Sequence, residues 1–214
     1  DSKREILCQL EREGEGLGEG TQAILRGLNR PDFFQAGILG TLASLMDVPT
    51  EDIPAVEAAL GAASRSVVFK DINVAEAALQ TLKAGAQGRA AVVTVDWPYE
   101  ERALGALPAG GLAWASTLVK ASEPVRKVVA RLLEGVVVVE NLETAFRLKQ
   151  EHPTLAFAAR TGEFLALDGV AYGGGGSEGE VSASALLRRS QIAAPKREIG
   201  TLGQEETRLA APRN

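Results

Sequence analysis

Two stretches of this sequence can be laid over each other, and a chain built from two such copies has few ways to fold. VVFKDINVAEAAL begins at Val67 and VVVVENLETAFRLK begins at Val136. Superposing them places Val67 and Val68 on Val137 and Val138, Asp71 on Asn141 and Ala75 on Ala145. In each copy a valine-rich run leads into a helical pattern, which is the signal of a buried strand followed by a helix. The flanks keep the same order. Residues 50–62 read as a helix, with Thr50 as its candidate N-cap and Ile53, Val56, Ala59 and Leu60 apolar. A strand at 66–69, a helix at 73–84 with Asn73 as candidate cap, and a strand at 90–95 complete the first half. The second half reads as a helix at 123–133, a strand at 136–139, a helix at 141–151 and strands at 155–159 and 164–167. The expected class is α/β with mixed α+β character, in two units related by a pseudo-twofold axis. The Pro- and Gly-rich stretch 97–111 is the expected boundary between them, and Trp97 and Trp114 beside it are expected to pack one half on the other.

Both ends differ from this middle. Residues 1–13 are rich in Glu, Lys and Arg, with Ile6 and Leu10 one helical turn apart, and Gly14, Gly16, Gly18 and Gly20 are expected to stop that helix. At the far end Ile192 and Ile199 lie a heptad apart, as do Leu202 and Leu209, which suggests a coiled-coil seam. Glu206, Gly200 and Gly203 weaken it, and Pro195 fits best as the first residue of a new helix.

Composition removes several function classes. The chain has one cysteine, Cys8, and one histidine, His152. A lone thiol makes neither an internal disulfide nor a cysteine-based zinc site, and a single histidine gives no His-rich metal centre. His152 is expected at a helix C-terminus, where a cation is favoured. No apolar run approaches the roughly 20 residues needed to span a bilayer. No nucleophile–base or carboxylate pair stands out, so no catalytic residue, metal or cofactor is assigned. The expectation is a soluble, cytoplasmic protein without membrane contact.

Two features could carry function. The first is the glycine run Gly173, Gly174, Gly175 and Gly176, which follows the expected turn at Asp168 and Gly169. A phosphate-cradling loop needs a Lys and a Ser or Thr opening a helix, whereas Ser177 and Glu178 follow here. A flexible loop is one alternative. The preferred reading is close approach of another backbone, which glycine permits. The second is the basic cluster Arg188, Arg189, Lys196 and Arg197. The segment 184–214 carries six Arg or Lys and three Asp or Glu, in a chain of formal net charge −5. A solvated helix face would explain the cluster, but the local reversal of sign points to polyanion contact through phosphates, without base specificity.

The ordered motifs resemble those of the hinge domain of structural-maintenance-of-chromosomes (SMC) proteins of bacterial type. GILGTLASLMDVP from Gly37 to Pro49, AVEAALG ending at Gly61, SVVF, and AEAALQTLKAGAQGRAAVV from Ala75 to Val93 carry the first half of the resemblance. VVVVENLETA, FAARTGEFLALDG, YGGGGSEG and SALLRRSQI carry the second. Ser44 stands where that family often has Asp, and the loop GGGGSEG is longer than usual. The resemblance implies hinge subdomains at 17–96 and 115–193, a linker at 97–114, and antiparallel coiled-coil stubs at 1–16 and 194–214. It implies a homodimer of a chromosome condensation and segregation ATPase whose catalytic head lies outside this chain. Gly169 and Gly173 to Gly176 would line the subunit contact. Arg188, Arg189, Lys196 and Arg197 would contact DNA weakly, with a preference for single strands. A nucleotide- or small-molecule-binding α/β enzyme using the glycine loop, and a monomeric DNA-binding module, remain the alternatives.

Overall fold

A computed structural model describes residues 17–174 and Leu186. Gly175, Gly176, Arg188, Arg189, Lys196, Arg197, Cys8 and both expected coiled-coil stubs lie outside the described residues.

The valine runs form the central strands of two sheets. In the first unit, helices α1 (Glu19–Leu25) and α2 (Pro31–Gly37) precede β1 (Ile38–Thr41), β2 (Met46–Asp47), α3 (Ile53–Leu60), β3 (Val67–Phe69), α4 (Ile72–Ala84) and β4 (Val92–Thr94). In the second, β5 (Ala113–Trp114), α5 (Ala115–Leu118), β6 (Lys120–Ala121), α6 (Glu123–Leu132) and β7 (Val136–Val139) come first. They are followed by α7 (Leu142–Glu151), β8 (Ala156–Ala159), β9 (Phe164–Leu165) and β10 (Ala171–Tyr172). The sheets run β1-β3-β4 and β10-β9-β8-β7-β5.

The duplication holds at the level of single hydrogen bonds. β3 pairs parallel with β4, and β7 with β8, so each copy is a strand–helix–strand crossover. Each central strand also takes an antiparallel neighbour in the same register, Gly40 opposite Val68 and Ala113 opposite Val138. The Ser44 hydroxyl donates to the Thr41 carbonyl and the Thr117 hydroxyl to that of Trp114, both at 2.8 Å. The residues that superpose in sequence, Asp71 and Asn141, cap α4 and α7. The Asp71 carboxylate accepts the N–H groups of Asn73 and Val74, and the Asn141 side chain accepts that of Thr144.

Because side chains alternate along a strand, each valine run feeds two cores. Val67 and Phe69 pack under α4 with Ala75, Ala78 and Leu82. Val137 and Val139 pack under α7 with Ala145 and Leu148. Val68 and Val138 point the other way, into one cluster that both units share with α3 and α6. β2 pairs antiparallel with β6 across the units, with Asp47 opposite Lys120.

Some expectations need correction. Thr50 does not cap a helix over 50–62; Thr50–Asp52 is a 3-10 turn, and α3 starts at Ile53. Pro54 decides this, since a residue without an N–H belongs in a first helical turn, and Gly61 at φ +50° ends the helix. Asp71, not Asn73, caps α4. Gly18 and Gly20 begin α1, while the helix they were expected to stop lies outside the described residues. A Cβ on Gly20 would lie 2.5 Å from the Arg89 carbonyl oxygen, so the helix needs a glycine there to lie against that backbone. Trp97 is not packing between halves: it is 54% exposed, whereas Trp114 packs on the cluster under α7. His152 ends α7 as expected, its N–H bonded to the Leu148 carbonyl.

Candidate functional site

β9 and β10 form a hairpin on the rim of the five-stranded sheet, with Phe164 opposite Tyr172 and Leu165 opposite Ala171. Asp168 and Gly169 make its turn. The Gly169 N–H donates to the Ala166 carbonyl, the Ala166 N–H to the Val170 carbonyl, and the Val170 N–H to the Asp168 carboxylate. Gly169 has φ +88°, a conformation that resists a side chain.

What the hairpin presents outward is unusual for a strand on a sheet rim. Every residue from 167 to 174 is exposed. Leu167, Val170 and Tyr172 are among them, at 60%, 46% and 56% exposure. Tyr172 touches its own chain mainly by stacking on Phe164, with ring centroids 6.2 Å apart. Natural sheets blunt such edges with charge, proline or a covering element. The described part of this rim carries instead three large apolar side chains followed by glycine.

The glycines on this rim divide into two kinds. Among the described residues no atom beyond their chain neighbours lies within 4 Å of where a Cβ would stand on Gly169 or on Gly174, and Gly174 has φ +124°. The described residues therefore leave the backbone at both positions uncovered. Gly173 is exposed too, but a Cβ there would meet the Glu163 side chain at 2.9 Å. Glu163 is also an anionic neighbour for anything that approaches Gly173, which is poor ground for a phosphate. The described lining of the hollow at Leu79, Leu82, Lys83, Ala86, Gly88, Arg89 and Ala90 includes neither Gly173 nor Gly174.

A second rim is open in the first unit. β8 and β4 occupy equivalent places, each parallel to its valine strand. The outer edge of β8 is taken by β9, antiparallel. Among the described residues no strand takes the outer edge of β4. Val92 and Val93 are only partly buried there, and the Thr94 hydroxyl is buried with no hydrogen-bond partner among the described residues.

Sequence reading missed one ion pair that joins the two units. Arg160, just after β8, donates from Nε to the Asp52 carboxylate at 2.8 Å, and its guanidinium lies 3.7 Å from Glu140. The hydrogen bond to Asp52 pushes the Arg160 pKa further up. Asp52 immediately precedes α3, so the pair ties the second unit to the first. Elsewhere, burial and then Glu134 push the Tyr99 phenol up, and Arg102 pairs with the same glutamate at 3.2 Å. Among the described residues no three His, Cys, Asp or Glu side chains gather into a metal-binding group, and no helix is long and apolar enough to cross a membrane. The four basic residues expected to meet DNA lie outside the described part.

Comparison with known proteins places this geometry. Residues 35–149 match the family model of the SMC proteins Flexible Hinge Domain. The chain is 36% identical over 180 residues to the Chromosome partition protein Smc of Mycolicibacterium paratuberculosis, a match over 80% of this chain and 15% of that protein. The chain thus spans about 15% of the length of that curated relative. Among solved structures, it resembles an asymmetric dimer of the Geobacillus stearothermophilus SMC hinge domain. That match has a TM-score of 0.80 at 24% identity, over 97% of this chain and 84% of that one. It also resembles the Pyrococcus furiosus SMC protein hinge domain, with a TM-score of 0.58 at 26% identity, over 81% and 88% of the two chains. The expected mixed α/β hinge fold is the observed one.

Proposed function

The chain belongs to the SMC flexible hinge domain family, and from that premise we propose that it is the homodimerisation hinge of a chromosome-partitioning ATPase, cytoplasmic and associated with the nucleoid. Units 17–96 and 115–193 are its two subdomains, 97–114 links them, and coiled-coil arms continue from 1–16 and 194–214. The catalytic head belongs to other parts of the full protein, so this segment turns over no ATP.

One observation carries the reading: among the described residues two sheet rims, β10 and β4, have no outer neighbour, and they are complementary. In the second unit an antiparallel strand covers β8. Among the described residues its equivalent, β4, has no such cover. β10 of one chain laid antiparallel on β4 of another supplies the missing strand. The same contact repeated by a twofold axis closes a ring with neither rim left open. Pairing β10 with β10 would leave both β4 rims uncovered. Main-chain hydrogen bonds would set the register, while Val170 and Tyr172 supply apolar burial. Gly169, Gly173, Gly174, Gly175 and Gly176 let the two backbones close up.

Arg188, Arg189, Lys196 and Arg197 contact DNA phosphates near the junction with the arms, with single strands preferred. Four cations in a chain of net charge −5 give local, salt-sensitive binding. Glu163 beside Gly173 counts against the nucleotide-loop alternative.

Sedimentation over a range of concentrations, with and without single-stranded DNA, tests both parts. The wild-type chain sediments as a dimer, and Tyr172→Lys shifts it towards monomer. Reversing all four basic charges leaves the dimer intact but weakens DNA binding and flattens its salt dependence. A wild-type chain that stays monomeric removes the hinge reading, and unchanged DNA affinity removes the basic-patch assignment.

A further inference from the structure

Among the described residues Lys149 has no carboxylate partner, yet its ammonium group is fully used. Nζ donates to three backbone carbonyls, those of Pro153 at 3.0 Å, Leu155 at 2.8 Å and Leu167 at 3.0 Å. An ammonium has three N–H donors, so none is left over. The side chain is partly buried and sits in the last turn of α7, where the helix dipole favours a cation. Its three acceptors belong to different parts of the fold. Pro153 and Leu155 lie between α7 and β8, and Leu167 lies in the loop of the β9–β10 hairpin.

The duplication shows that this arrangement is an addition. Superposing Ala75 on Ala145 places Leu79 on Lys149, and Leu79 is a 38% exposed apolar residue on α4. The first unit has no counterpart of the β9–β10 hairpin among its described strands, and it has no lysine at that place. The unit that carries the hairpin also carries the cation that holds it.

We propose that Lys149 is a positioning residue for self-association. It pins the hairpin loop to the body of the second unit, so that β10 is held ready to receive a partner strand. The inference rests on the hinge reading, because the hairpin is the rim offered to the partner. β9 is anchored by its pairing with β8 and by the buried Leu165, but residues 167–174 beyond it are all exposed and β10 is two residues long. Pre-ordering it in the free chain removes an ordering cost from association.

The test is amide hydrogen exchange combined with sedimentation, on the wild-type chain and on Lys149→Met, which keeps the apolar stem and removes the three donors. Exchange at Ala166, Gly169 and Val170 is expected to accelerate about tenfold, the scale of one net hydrogen bond. Amides of β3 and α4 are expected to be unchanged, and the dimer dissociation constant to rise about tenfold or more. Lys149→Arg keeps the charge but, with a planar fork, cannot converge on three carbonyls; it is expected to shift both readouts the same way by less. Unchanged hairpin exchange, acceleration spread evenly over the chain, or a loosened hairpin with unchanged dimer affinity would each overturn the proposal. A wild-type chain that never dimerises defeats the hinge reading instead, and the exchange data then still report whether Lys149 holds the loop.

Discussion

Asp52 is 2% exposed, and a carboxylate so far from water requires a donor. Arg160 supplies it from 108 residues away. That separation explains why neither residue stood out in the sequence, where Asp52 reads as one acid in the turn before a helix. The caps behave differently. Asp71 and Asn141 act within three residues of themselves, so superposing the two copies was enough to bring them into correspondence. Asn73 drew attention as a cap because Asn is a cap former, but Asp71 stands two residues earlier and its carboxylate accepts Asn73's own N–H. Arg160→Met would leave Asp52 buried without its donor. The expected loss is about 2–3 kcal/mol, below that of a fully buried pair because a third of the Arg160 side chain remains in water. Urea unfolding checks it, and Asp52→Asn combined with Arg160→Met should recover part of the loss, since the buried charge is then gone.

At the scale of elements, legibility followed burial. Val136–Val139 is completely buried, and an unbroken valine run bounded by turn residues is how a strand covered on both faces reads. α4 and α7 were legible from their apolar spacing. The elements that were missed take their form from contacts rather than from their own sequence. β5 and β10 are two residues each and exist because β7 and β9 pair with them. α1 contains Gly20, a poor helix former whose presence makes sense only beside the Arg89 backbone. Leu186 shows how far such contacts extend. It is 2% exposed in the cluster shared by both units, and its N–H donates to the Glu57 carboxylate on α3 at 3.0 Å. Leu186 therefore lies against α3. Leu186→Ala is expected to cost about 2–5 kcal/mol, the range for removing a large side chain from a packed core. A change in urea midpoint equivalent to less than 1 kcal/mol would mean that Leu186 is not part of that core.

Across the whole molecule, the repeat became two sheets whose inner faces share one core and whose outer faces are each covered by their own helix. That much follows from duplication and strand periodicity. What broke the symmetry was the extra hairpin. It covers β8 in the second unit, whereas no described strand covers β4 in the first, and in the proposed dimer β10 is the strand given and β4 the edge that receives it. In the sequence only the Asp168–Gly169 turn and the glycines after it hinted at this, because a rim is defined by which strand is absent beside it. The most direct check is to mix isotope-labelled with unlabelled chains and record magnetisation transfer between protomers. Transfer from residues 170–174 of one chain to 92–94 of the other is the predicted result, and transfer between two copies of β10, or none at all, would contradict it.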